Sequence, residues 1–177
     1  MSNNPNERKF KPLNIAVMTV SDTRTEADDT SGDTLVKLLT EAGHILADKC
    51  IVPDDIYQIR AAVSQWITAD SINAVITTGG TGITGRDSTP EAVTVLLDKE
   101  IEGFGEVFRA VSYEEIGTST IASRAMSGVA NATFVFCLPG STGACRTGWG
   151  KIISHQLDFR TRPCNLVELM PRVLEQG

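Results

Sequence analysis

Residues 72–92 read INAVITTGGTGITGRDSTPEA. Ile72 to Thr78 is apolar and β-rich, and it runs straight into four glycines between Gly79 and Gly85. Arg86 and Asp87 follow, then Ser88-Thr89-Pro90-Glu91, a helix-start pattern. Gly80-Thr81-Gly82-Ile83-Thr84-Gly85 matches the dinucleotide pattern GxGxxG letter for letter. In that motif, however, the helix opens within the glycines. Here Thr89 suits the N-cap, Pro90 suits N1 and Glu91 suits the first turn, so the helix is expected to start after the glycines have ended. A Walker A loop is disfavoured as well, because Arg86-Asp87 stands where Lys-[Ser/Thr] would be needed. Two readings remain open, a different phosphate cradle or a structural turn. The cradle gains from the residues behind the glycines: Arg86 can fork onto a phosphate and Asp87 can hold magnesium.

Outward from this stretch, strand and helix alternate. Leu13 to Val20 reads as a buried first strand, closed by Ser21-Asp22. Leu35, Leu38, Leu39 and Ala42 form a helical stripe that stops at Gly43. Ile45 to Val52 is a second strand, and Ile56, Ile59, Val63, Trp66 and Ile67 share one helix face. A helix is expected over 90–101, and interrupted helix over 103–117 and 118–128. A further strand is expected at Thr133 to Leu138, and a helix from there to about Leu157. Asn165 to Leu174 reads as a short amphipathic tail.

This order predicts a three-layer α/β sandwich, a mostly parallel sheet with helices on both faces. One domain over 13–177 is expected, preceded by a loose polar arm, 1–12. Ligands of such folds sit beyond the carboxyl ends of the strands. Ser21-Asp22, Val52-Pro53-Asp54, Thr78 to Asp87 and Pro139-Gly140-Ser141 all fall there. Ends of neighbouring parallel strands lie roughly 5 to 10 Å apart. Asp54 and Asp87 can therefore share one magnesium if their strands are close, although Asp54 can equally serve as the N-cap of its helix.

The chain of 177 residues has a net charge of −6 and no Lys/Arg cluster, which argues against nucleic acid as partner. It has no apolar run of membrane-spanning length and no secretory h-region. Cys50, Cys137, Cys145 and Cys164 lack CxxC spacing and read as reduced cytosolic thiols. Asn131-Ala132-Thr133 matches a glycosylation sequon but reads as a turn before a strand. Glu106 and Arg109, three apart on a helix face, are candidates to reach a ligand or a neighbouring subunit, with a surface ion pair as the alternative. No catalytic triad, GxSxG or HExxH is present.

TTGGTGITGRDSTPEA, EGFGEVFR, SRAMSGVAN and LPGS, in this order, resemble the MoaB/MogA family of molybdenum cofactor biosynthesis. DDTSG, SYEEIGTSTIASRA, LPGSTGAC and LDFRTRPCN resemble its MoaB branch, and the likeness runs from about Leu13 to Asn165. The resemblance implies a molybdopterin-binding α/β domain, assembled as a homotrimer or homohexamer, that hands product to a molybdate-insertion protein. In active members it implies adenylylation of the molybdopterin terminal phosphate, with magnesium and ATP, releasing pyrophosphate. The alternative is a non-catalytic carrier or scaffold of the same pathway. Carried over, the two important carboxylates, catalytic and metal-binding, match Asp54 and Asp87. Gly79, Gly80, Thr81 and Gly82 are expected to cradle phosphates by their amides. Arg86 is expected to neutralise charge, and Ser21, Asp22, Gly140 and Ser141 to line the cleft.

Overall fold

The computed structural model describes residues 8–175. Six strands form one sheet in the order β2-β1-β3-β6-β5-β4. These are β1 (Asn14–Val20), β2 (Ile45–Val52), β3 (Ala74–Thr78), β4 (Lys99–Glu100), β5 (Met126–Ala130) and β6 (Thr133–Leu138). β2, β1, β3 and β6 are mutually parallel, and β5 and β4 complete an antiparallel edge.

The central strands alternate between two cores, as a sheet covered on both faces requires. Ile15 and Val17 of β1, Ile76 of β3, and Phe134, Phe136 and Leu138 of β6 face one core. There they meet α1 (Thr30–Glu41) through Leu35 and Leu39, α4 (Glu102–Ile116) through Phe104 and Phe108, and α5 (Thr142–Gly148) through Cys145. Ala16, Met18, Val75, Val135 and Cys137 point the other way, onto Ile59, Val63 and Trp66 of α2 (Ile56–Ile67) and Ala92 and Val93 of α3 (Thr89–Thr94). The expected three-layer sandwich is therefore present.

Several elements differ from expectation. The helix expected over 90–101 is the short α3, and its remainder turns into the edge strand β4. The stretch 118–128, expected as helix, is a 3-10 turn (Gly117–Ala122) followed by β5. β5 has a β-forming partner that no local pattern reveals. Asn131 and Ala132, with φ of 46° and 64°, make a two-residue reversal that folds β5 back along β6. That bears out the turn expected at the sequon. The helix after β6 continues through a π turn (Trp149–Ile153) into α6 (Ser154–Gln156), and the tail carries α7 (Leu166–Leu169). Residues 1–7 of the expected arm lie outside the described residues. Arg8 pairs with Glu168 at 2.7 Å, and Lys11 sits over the Phe159 ring. The four cysteines are unbridged, and among the described residues no helix is long and apolar enough to cross a membrane.

One buried carboxylate fastens the segment between β1 and α1. Asp29 is fully buried; it caps α1 by accepting from the Gly32 N–H at 3.0 Å and accepts from the Thr19 hydroxyl at 2.9 Å. Lys49 of β2 meets it at 3.1 Å and also reaches Glu26 and Asp33. A Cβ on Gly32 would stand 2.1 Å from the Asp29 carboxylate, so this glycine is what lets the side chain turn inward. Removing one partner of a buried ion pair leaves the other uncompensated. Asp29→Ala is expected to cost about 3 kcal/mol in urea unfolding, through the lost cap and the stranded Lys49. Asp29→Asn keeps an acceptor and is expected to lose less.

Candidate functional site

The chain turns from β1 to β2 on one side of the sheet and leaves β3 toward β6 on the other. This makes the β1/β3 carboxyl edge a topological switch point, where a crevice opens. A cleft of about 570 Å³ opens at this edge. Its floor is Val20, Gly79, Gly80 and Gly82 of the β3 loop, and Gly140-Ser141 after β6. Its far wall comes from α4, the 3-10 turn and α5, including Phe108, Ser112, Glu115 and Thr147.

The loop is built by close backbone approach. Gly79 and Gly80 have φ of +109° and +65°, conformations that side-chain-bearing residues rarely adopt. A Cβ on Gly79 would lie 2.2 Å from the Val20 carbonyl oxygen. The Gly79 N–H donates to Leu138 O at 3.0 Å, and Thr89 donates its hydroxyl to Gly79 O at 2.9 Å. Thr89 is therefore not the N-cap expected from sequence. Ser88 takes that position without a side-chain cap bond, and Thr89 ties the helix start to the loop instead. The helix still begins after the glycines, which agrees with the argument against a dinucleotide fingerprint.

Two carboxylates flank this loop. Asp54 Oδ1 lies 3.2 Å from the place a Cβ on Gly80 would take, and Asp87 Oδ2 lies 2.7 Å from that of Gly82. Asp55, not Asp54, caps α2, accepting from the N–H groups of Tyr57 and Gln58. Asp54 is thus released from the capping role and lines the cleft with Asp87. Burial pushes the Asp54 carboxyl up from its ordinary value, and the negative charges of Asp22 and Asp87 add to this. The Thr84 hydroxyl at 2.6 Å and the N–H groups of Thr84 and Gly82 hold Asp87 below its usual value.

Asp22 and Arg86 form a bidentate ion pair at 2.7 and 3.0 Å. Asp22 and Asp54 exchange reciprocal bonds from backbone N–H to carboxylate, at 3.1 and 3.0 Å. Asp22 and Arg86 are not among the residues lining the cleft, and neither is Ser21, whose hydroxyl accepts from the N–H groups of Thr23 and Arg24. The Arg86 side chain therefore meets a carboxylate where a phosphate contact was expected. Of the four cradle amides, Gly79 N–H is committed to Leu138, and Gly82 N–H lies on the Asp87 carboxylate. Gly80 and Thr81 N–H have no hydrogen-bond partner among the described residues. Glu106 and Arg109 lie outside the cleft altogether, along a separate hollow of about 220 Å³. Arg109 donates to Ala125 O at 3.2 Å, and no ion pair joins it to Glu106 among the described residues.

Arg124 was not expected in the site. Its guanidinium donates to Gly82 O at 2.7 Å and Asp87 O at 2.9 Å, and it also pairs with Glu91. Its N–H donates to Thr81 O at 3.1 Å. One side chain thus grips both limbs of the loop. The SRAMSG stretch contained it, but a lone arginine after a broken helix carries no spacing signal. Ser112, Glu115 and Thr147 were missed because α4 and α5 come together only in the fold.

Comparison with known proteins gives the family. Residues 16–158 match a family described as Probable molybdopterin binding domain. The chain is 58% identical over 157 residues to Molybdenum cofactor biosynthesis protein B of Escherichia coli K12, covering 89% of this chain and 92% of that protein. A crystal structure of a Molybdenum cofactor biosynthesis protein B superposes with a TM-score of 0.82 at 48% identity, covering 85% of this chain and 94% of the other. The tungsten cofactor synthesizing protein MoaB from Pyrococcus furiosus superposes at 0.74 with 42% identity, over 82% and 92%. The chain therefore belongs to the MoaB/MogA family of molybdenum cofactor biosynthesis proteins.

Proposed function

We propose that the cleft holds molybdopterin with its terminal phosphate against the glycine loop. The observation that carries this reading is the pair of N–H groups on Gly80 and Thr81, uncommitted among the described residues, at the floor of this cleft in a molybdopterin-binding domain. Backbone amides held in a positive-φ turn suit a phosphate without needing a free cation, which matters in a chain of net charge −6. On this reading alone the protein is a binder, a carrier or scaffold in cofactor biosynthesis.

Asp54 and Asp87 favour a second reading, adenylyl transfer from ATP to that phosphate. Among the described residues no three acid, histidine or cysteine ligands converge. Two carboxylates flanking one loop, with substrate phosphates completing the shell, nevertheless suit magnesium, which keeps water and phosphate ligands. The carboxylates fit such an ion: both press against the loop, and the repulsion of Asp54 by Asp22 and Asp87 is only partly offset by the Asp22 N–H and Arg86. Magnesium bound there would screen the phosphate charge. The chain's own part is positioning. Gly80 and Thr81 orient the molybdopterin phosphate, and Arg124 keeps the loop in shape. A phosphate oxygen forms its bond to the α-phosphorus of ATP as the bond to pyrophosphate breaks.

Molybdopterin binding is measured by anaerobic fluorescence titration, and transfer by pyrophosphate release with magnesium and ATP. Asp87→Asn and Asp54→Asn are expected to lower transfer about 100-fold while leaving molybdopterin affinity within a few-fold of native. Binding without pyrophosphate release from the native chain would leave the carrier reading standing alone. Absence of molybdopterin binding overturns both.

Arg124→Lys keeps the charge but cannot span the Gly82 and Asp87 carbonyls together. Hydrogen exchange at residues 80–87 is expected to quicken about tenfold in this variant, with weaker phosphate binding. Added guanidinium at low concentration is expected to restore part of the loss in Arg124→Ala, and unchanged exchange would remove the clamp.

A further inference from the structure

We propose that Glu115 reads the pterin ring of the bound ligand by accepting from the paired N–H donors on its pyrimidine edge; this rests on molybdopterin occupying the cleft. The cleft has two chemically different ends. Asp54, Asp87 and the glycine loop lie at the ends of β2 and β3. Glu115 lies on the other wall, on α4 and hydrogen-bonded to Thr147 of α5. It is the one carboxylate among the residues lining that end.

Its geometry is prepared for a donor. Thr147, nearly buried on α5, gives its hydroxyl hydrogen to Glu115 Oε2 at 2.6 Å. This fixes the carboxylate plane, while Oε1 has no partner among the described residues. Phe108, Ile116 and Ala144 supply apolar surface beside it, suited to the faces of a flat ring. A 2-amino-4-oxopyrimidine presents N3–H and an exocyclic N–H side by side, matching the two oxygens of a carboxylate as a guanidinium does. A carboxylate there also repels a second phosphate. The cleft thus has polarity, amides for the anionic end and an acceptor pair for the neutral heterocycle. Adenine fits poorly, because its amino donor sits beside the N1 lone pair and leaves the second carboxylate oxygen facing an acceptor.

A merely structural role, a tie between α4 and α5, would make Glu115 matter for stability but not for which ring binds. The test separates the two. Molybdopterin is titrated anaerobically into native protein, Glu115→Gln and Glu115→Ala, with thermal melts as the fold control. Free pterin, lumazine (oxygen in place of the 2-amino group) and GTP are the competitors. Glu115 is an exposed helix residue, so both variants are expected to fold. Affinity is expected to fall about 10- to 100-fold in both, as for loss of a charged hydrogen bond, with magnesium-ATP affinity unchanged. Native protein is expected to prefer pterin over lumazine, and the variants to lose that preference. Native-like affinity in both variants, or equal competition by pterin and lumazine on native protein, overturns this inference alone. Displacement by GTP as effective as by pterin would assign the edge to a guanine nucleotide and overturn the pterin assignment. Failure of molybdopterin to bind native protein overturns the binding reading, and this one with it.

Discussion

The site depends on how closely three backbones meet at Gly79. The Val20 carbonyl at the end of β1 occupies the space a side chain would need, the Gly79 N–H is spent on Leu138 at the end of β6, and a Cβ on Gly140 would lie 3.1 Å from the Gly79 Cα. No residue with a Cβ allows this approach, and φ of +109° disfavours one independently. With β1, β3 and β6 drawn together, the loop after β3 turns over the sheet edge, and Gly80 and Thr81, whose amides have no partner among the described residues, line the cleft.

Charge is arranged around that turn in a graded way. Asp22 is neutralised by Arg86 at the rim, and Asp87 is stabilised as an anion by its own loop. Asp54 is the acid whose negative charge is least compensated. The cations near the loop are already engaged, Arg86 by Asp22 and Arg124 by the loop carbonyls and Glu91. The site therefore offers amides and carboxylates instead of a basic pocket. On the proposed reading, this is how an acidic chain takes a phosphate ligand: local dipoles act at contact distance, where the overall field matters less.

Legibility differed between neighbouring residues for physical reasons. Asp54 and Asp55 are equivalent on paper as helix caps. The extended backbone at Asp55, with φ −127° and ψ 122°, gives it the cap and leaves its neighbour to the cleft. Thr89 has the better capping pattern, but a long-range bond to the Gly79 carbonyl takes its hydroxyl. Met126–Ala130 contains glycine and serine and carries little β preference of its own; pairing with β6 on one side and β4 on the other makes it a strand. Glu106 and Arg109 shared a helix face as expected, but that face opens onto another hollow.

By itself the sequence determined the alternation of strands and helices, a glycine loop behind β3 that ends before its helix begins, and the presence of two acids at strand ends. These follow from side-chain periodicity, from glycine's freedom at positive φ and from proline's place in a helix start, all of which act over a few residues. The tertiary structure alone decided that β1 lies between β2 and β3, and that Asp54 and Asp87 line the same cleft beside the glycine loop. It also decided that Arg124 clamps that loop from 37 residues beyond Asp87, and that Thr147 orients Glu115 from 32 residues away. Such partners are set by which helix packs on which strand, and a local pattern holds no record of that.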